Sequence, residues 1–209
     1  YEDDWIVAIN KSPEYLSVPG KNPQPNCLED LKKRYLNADG PLLVHRLDMS
    51  TSGIMLAAKT KLMHQRLQRQ FVLRKVQKQY IAVLAGIPAQ MAGEIRLPLR
   101  VDLDDRPRQL VCEEYGSYAH TTYEVLETVN GETRIRLFPK TGRTHQIRAH
   151  MQFIGHPLFN DLEYGGDRIV KGTTHDKYKQ FINNCFDLIP GQALHAKSLG
   201  FQHPKTGSW

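Results

Sequence analysis

The sequence predicts an α+β fold: a mixed, mostly antiparallel sheet with helices set against it. Two observations carry this. Short apolar runs bounded by turn-forming residues recur along the chain, and two of the longer ones meet at Asn130-Gly131, a strong short-range hairpin signal. Between these runs lie segments whose apolar residues repeat every three or four positions, the period of an amphipathic helix.

In order, Trp5 to Ile9 reads as a buried strand. Pro13, Pro19, Gly20, Pro23 and Pro25 then exclude regular structure. Leu28, Leu31 and Tyr35 recur at helical spacing until Gly40-Pro41 stops the pattern, and Leu42–Val44 and Ile54–Ala58 read as strands. Thr60 is placed to cap a helix carrying Met63, Leu67 and Phe71 on one stripe. Gln79–Leu84 and Ile95–Leu99 are further strands, and His120–Val129 with Thr133–Phe138 forms the hairpin. A second helix, capped by Thr144, turns Ile147, Met151 and Ile154 inward and stops at Gly155. A third spans 174–185, capped by Thr174, and Leu194–Phe201 is a last strand.

The 209 residues, 40% of them apolar, suffice for a single domain, 1-209, in two lobes. An opening Tyr1 and a close at Trp209 in structured-looking sequence suggest a fragment of a longer chain. No apolar run is long enough to span a bilayer and no signal-like start is present, so no membrane partner is expected. Cys27, Cys112 and Cys185 are unpaired in spacing, which points to free thiols in a reducing, cytoplasmic setting. The net charge of +6 points to a polyanion. Its distribution says more: residues 59–80 hold Lys59, Lys61, Arg66, Arg69, Arg74, Lys75 and Lys78 and no acid, as a surface following a nucleic-acid backbone would.

That basic run follows the stretch of greatest chemical interest, His45-Arg46-Leu47-Asp48-Met49-Ser50-Thr51-Ser52-Gly53, a turn-rich segment with one carboxylate between two apolar runs. Residue chemistry alone favours an ordinary hydroxyl-bonded turn. With Glu2-Asp3-Asp4 and its apolar run to Asn10-Lys11, Lys78-Gln79-Tyr80, Gly142-Arg143-Thr144-His145-Gln146-Ile147-Arg148-Ala149-His150, Gly155-His156-Pro157 and Leu194-His195-Ala196, however, it resembles the RluA-type pseudouridine synthases, block by block and in the family's order.

The resemblance implies the family's fold with a central active-site cleft, and conversion of uridines in ribosomal or transfer RNA stem-loops to pseudouridine. Asp48 would be the catalytic nucleophile, Arg148 the cation that pairs with it, and Tyr80 the aromatic packing on uracil and taking part in proton transfer. An adjacent cation suits a nucleophile that must stay ionised, since it lowers an Asp pKa by roughly 1 to 3 units. Arg46 would help replace the flipped base, Leu194 would wall the uracil pocket, and His45, Arg66, Arg69, Arg143 and His145 would face RNA. RNA is the expected partner of a monomer needing no cofactor.

Other chemistries fit less well. His145, His150 and His156 lack the spacing of a helical zinc motif, so no metal is expected. Ser50 or Ser52 with His45 and Asp48 lacks the elbow of a hydrolase triad. A noncatalytic RNA-binding or ribosome-assembly factor and an RNA or nucleoside glycosylase remain as alternatives. The chain departs from the family twice, with Lys11-Ser12-Pro13-Glu14 where Lys-Pro-x-Gly is common and Asn160-Asp161 where Gly-Asp is usual. Asn tolerates the left-handed backbone better than most residues, so a structural adjustment is expected at the second.

Overall fold

A computed structural model describes residues 1–40, 42–170, 173 and 175–209. Pro41, read as part of a helix stop, and Thr174, read as a helix cap, lie outside the described residues. The chain divides into two compact units, Tyr1–Lys78 with Ala196–Trp209, and Gln79–His195.

The first unit carries strands β1 (Ile6–Lys11) and β2 (Ser52–Ala58), antiparallel in a register that pairs Ile6 with Ala58 and Lys11 with Gly53. Strand residues alternate between faces, so Ile6, Leu56 and Ala58 join one apolar cluster and Val7 and Ala57 another. The first cluster is closed by Met63, Leu67 and Phe71 of helix α2 (Lys61–Val72) and the second by Leu28 and Leu31 of helix α1 (Cys27–Arg34). Thr60 caps α2 as its sequence predicts, its side chain accepting from the Met63 N–H at 3.3 Å. Segment 42–44 is not a full strand: Leu43 makes one bridge to Ala57, while the Leu43 and Val44 carbonyls go to His64 and Gln68 of α2.

In the second unit, β3 (Gln77–Ala85, its first two residues in the first unit), β4 (Ala92–Ile95), β7 (Thr121–Val129) and β8 (Glu132–Pro139) form antiparallel pairs in the order β3-β8-β7-β4. The expected hairpin is present, with Asn130 at φ 53 and Gly131 at φ 87, both left-handed as a primed turn requires. The single strand expected over Ile95–Leu99 is instead two pieces, β4 and β5 (Leu99–Val101), the latter paired with β6 (Gln109–Val111). Pro98, which has no N–H to give a ladder, falls in the break.

Helix α3 (Gln146–Phe153) lays Ile147 and Met151 on the cluster that also holds Leu84, Ile135, Leu137 and Leu194. Its N-cap is His145, not Thr144. His145 sits left-handed at φ 48 with no side-chain cap, and the Gln146 side chain accepts from the Arg143 N–H and the Thr141 hydroxyl instead. Gly155 ends the helix at φ 83. Helix α4 (Asp176–Asp187) and strand β9 (Leu194–Gly200) complete the chain, β9 starting in the second unit and finishing in the first.

Both departures from the family pattern fall at left-handed positions, Glu14 at φ 61 and Asn160 at φ 60. The turns persist without glycine, at a cost that Asn bears better than Glu. Gly53 has no such latitude, since at φ 113 a Cβ would lie 2.3 Å from the Ala196 carbonyl oxygen. Urea unfolding should therefore show Gly53→Ala losing more than about 3 kcal/mol and Glu14→Gly gaining up to about 1 kcal/mol. A Gly53→Ala protein of unchanged stability would contradict the close approach of β9.

Candidate active site

Asp48 is half-buried at the start of a tight turn in the first unit, the Thr51 N–H donating to its carbonyl at 3.1 Å. Both neighbours are pinned. Before it, the Ser17 hydroxyl donates to the Leu47 carbonyl at 2.6 Å and accepts from the Leu47 N–H at 3.0 Å. After it, the Lys11 ammonium donates to the Met49 carbonyl at 2.7 Å, and also to the Ser12 and Tyr15 carbonyls at 2.9 and 2.7 Å. Lys11 is only 2% exposed, and burial pulls its pKa down to about 8 against the opposing fields of Cys27 and Asp48. The loop backbone is thus held by a buried cation and a buried hydroxyl.

His45 stacks on Phe71 with ring centroids 5.0 Å apart, and its Nε2 accepts from the Leu56 N–H of β2 at 3.1 Å. An accepting Nε2 places the neutral ring's proton on Nδ1. Burial, with Lys78 adding to it, lowers the His45 pKa to about 4. His45, expected to face RNA, therefore braces the Asp48 segment against β2. Arg46 beside it is exposed.

The basic stretch divides by role. Lys59 is a structural cation, bonded to Glu2 at 2.8 Å and lying over the Tyr35 ring. Arg66 gives one N–H to the Pro204 carbonyl at 2.8 Å. Arg69, Arg74 and Lys75 are exposed, and burial lowers the Lys78 pKa to about 8. Of the seven basic residues, Lys59 and Lys78 are half-buried and the other five are exposed.

In the second unit Arg148 is buried on α3 between Ile147 and Ala149. Its Nε and Nη2 donate to the two oxygens of Asp161, each at 2.7 Å, and Nη2 lies 2.6 Å from Glu163. Tyr164 lies under the guanidinium at 4.8 Å, and its hydroxyl meets the Gln109 N–H at 2.8 Å and His145 Nδ1 at 3.1 Å. His145 is buried in this network and Arg143 is exposed, its Nε donating to the Tyr118 carbonyl. Tyr80 on β3 is half-buried and packs on the apolar cluster that contains Leu194, so the structure brings these two expected pocket residues onto one cluster. His150 and His156 are buried too, hydrogen-bonded to Thr121 and Leu97 and to Ala85 respectively.

Lys11, Ser17, Asp161, Glu163 and Tyr164 were not singled out by sequence reasoning as site residues. Lys11 and Asp161 lie in blocks where the family likeness is visible. Ser17 carries no local signal, because its partner Leu47 is 30 positions away.

The largely antiparallel sheet with its flanking helices is the fold of the pseudouridine synthase class. Residues 5–153 match the family described as RNA pseudouridylate synthase, and the chain belongs to that family. It is of the RluA type. A Pasteurella multocida protein, "Dual-specificity RNA pseudouridine synthase RluA", is 40% identical over 99% of this chain and 87% of its own length. The Escherichia coli K12 protein of the same name is 37% identical over 100% and 88%. The solved structure "Human RNA Pseudouridylate Synthase Domain Containing 4" superposes with a TM-score of 0.73 at 26% identity, over 95% of this chain and 82% of that one.

His45 gives the site a pH signature. With a pKa of 6.5 unfolded and about 4 folded, the imidazole binds a proton between these values only when the chain unfolds. Its contribution, roughly 3 kcal/mol, is therefore complete above pH 6.5 and is lost as pH falls to about 4. Urea midpoints across that window should drop steeply for the native protein and more shallowly for His45→Gln, whose amide oxygen accepts the Leu56 N–H without titrating. Equal slopes would place the acid sensitivity elsewhere.

Proposed function

We propose that the chain converts particular uridines in ribosomal or transfer RNA stem-loops to pseudouridine, with Asp48 as nucleophile. The reaction is an isomerisation: the N1–C1′ bond breaks, a C5–C1′ bond forms, C5 gives up a proton and N1 gains one. No electrons are gained or lost overall, so the proposal includes no redox cofactor. The observation that carries it is the Asp48 loop, whose neighbours on both sides are tied to Lys11 and Ser17. A loop so held supports a carboxylate kept for chemistry.

In this reading Arg148 serves Asp48 by directing donors toward its carboxylate, and Tyr80 stacks on uracil, an interaction worth roughly 1 to 3 kcal/mol per base. Leu194 supplies an apolar wall to the same ring. Arg46, exposed two positions from Asp48, takes the space of the uridine that leaves the stack. Arg69, Arg74, Lys75 and Arg143 meet phosphates, while His45, His145 and Arg66 hold the segments that present them. The protein acts as a cytoplasmic monomer. Among the described residues no helix is long and apolar enough to cross a membrane.

Asp48→Asn keeps the side chain's shape and removes its charge. It should abolish release of tritium from uracil C5 of a labelled stem-loop while leaving RNA affinity within about threefold of the native protein. Release at the native rate would remove Asp48 from the chemistry. A salt titration separates the basic residues: Arg69→Ala or Lys75→Ala should flatten the slope of log affinity against log salt by about 0.7 each. Lys59→Ala should leave that slope alone and lower the unfolding midpoint. A flattened slope for Lys59→Ala would return that residue to the RNA-binding surface.

A further inference from the structure

The acids around Arg148 belong to none of the roles assigned so far. Asp161 is 0% exposed and grips the guanidinium side-on through two parallel bonds of 2.7 Å. Glu163, whose side chain is 42% exposed, adds a third contact to the same Nη2 at 2.6 Å. Two carboxylates to one guanidinium leave Arg148 more than compensated before any further acid is counted. An arginine meant only to supply positive charge would not be so surrounded. A planar fork fixed in direction, however, needs this kind of hold.

The hold is itself rigid. The Asp161 N–H donates to the Leu158 carbonyl at 3.1 Å and the Gly166 N–H to the Asp161 carbonyl at 2.8 Å. A Cβ at Gly166 would lie 1.8 Å from the Leu158 oxygen, so this turn closes only on glycine. Asn160 next door gives its amide to the Phe186 and Ile189 carbonyls. Below the guanidinium, the Tyr164 ring is anchored through its hydroxyl to the Gln109 backbone. A buried ion pair contributes little net stability against an apolar replacement, so fold stability alone is a weak reason for this arrangement.

We infer that Asp161, seconded by Glu163, is a positioning residue for the isomerisation: it occupies the Nε/Nη2 edge of Arg148 and so fixes the direction of the opposite, Nη1 edge. This rests on the reading that Arg148 serves Asp48. Asp161 touches no substrate and acts through Arg148 alone.

The test is a double-mutant cycle on single-turnover tritium release, with RNA affinity measured in parallel. Asp161→Asn keeps the turn and leaves Glu163 to compensate the guanidinium. It should slow the chemical step by roughly 100-fold, the scale of a small misplacement, with RNA affinity unchanged. Arg148→Lys keeps the charge and loses the fork, and should be slowed at least as much. Adding Asp161→Asn to Arg148→Lys should then cost less than about threefold more. Losses that multiply in the double variant, an Asp161→Asn protein at the native rate, or one impaired only in RNA affinity would each overturn the assignment. A native rate for Arg148→Lys is a different failure, that of the reading on which the assignment rests. Should Asp161→Asn not fold, half-exposed Glu163→Gln replaces it: several-fold slowing that vanishes on the Arg148→Lys background supports the positioning role, and a native rate overturns it.

Discussion

An ammonium group buried under the Asp48 loop is the constraint on which the first unit depends. Lys11 ends β1 facing inward, and all three of its donors are spent on backbone carbonyls from two separate segments, residues 12–15 and Met49. A buried cation is tolerated only when its hydrogen-bonding capacity is filled. Folding this unit therefore requires the Asp48 turn to close onto Lys11. Ser17 completes the closure from the other side. Two buried polar side chains, an ammonium and a hydroxyl, thus hold the backbone on either side of Asp48.

The second unit meets a different demand. Arg148 is buried on a helix among apolar neighbours, and the chain compensates its charge with Asp161 and Glu163. Within the first unit the field of Asp48 opposes the burial that lowers the Lys11 pKa.

The elements legible in the sequence were those fixed by local chemistry. Thr60 and the stripe of Met63, Leu67 and Phe71 specify α2 without tertiary help, and Asn130-Gly131 specifies its hairpin. What was not legible depended on distant partners. Thr144 looks like a cap, yet the Gln146 side chain reaching Thr141 and the Arg143 backbone shifts the helix start by one residue. Segment 42–44 has strand composition and trades two backbone bonds with β2, but the Leu43 and Val44 carbonyls are claimed by α2. Among the candidate site residues, Asp48, Tyr80, Arg148 and Arg46 stood out through family likeness. Ser17 and Glu163 have no signal of their own, because what they do is set by residues that only the fold brings near. The basic run from Lys59 to Lys78 read as uniform, and burial then separated its structural cations from its exposed ones.

The central claim is that this fold isomerises uridine within RNA and cleaves nothing from it. Its most direct test is to incubate the purified protein with a ribosomal or transfer RNA stem-loop, digest the RNA to nucleosides, and quantify uridine, pseudouridine and free uracil by chromatography. The account predicts pseudouridine appearing mole for mole as uridine disappears, with no uracil released. Free uracil without pseudouridine would make the protein a glycosylase. RNA that is bound yet left unchanged across authentic stem-loops would make it a binding factor on a synthase scaffold.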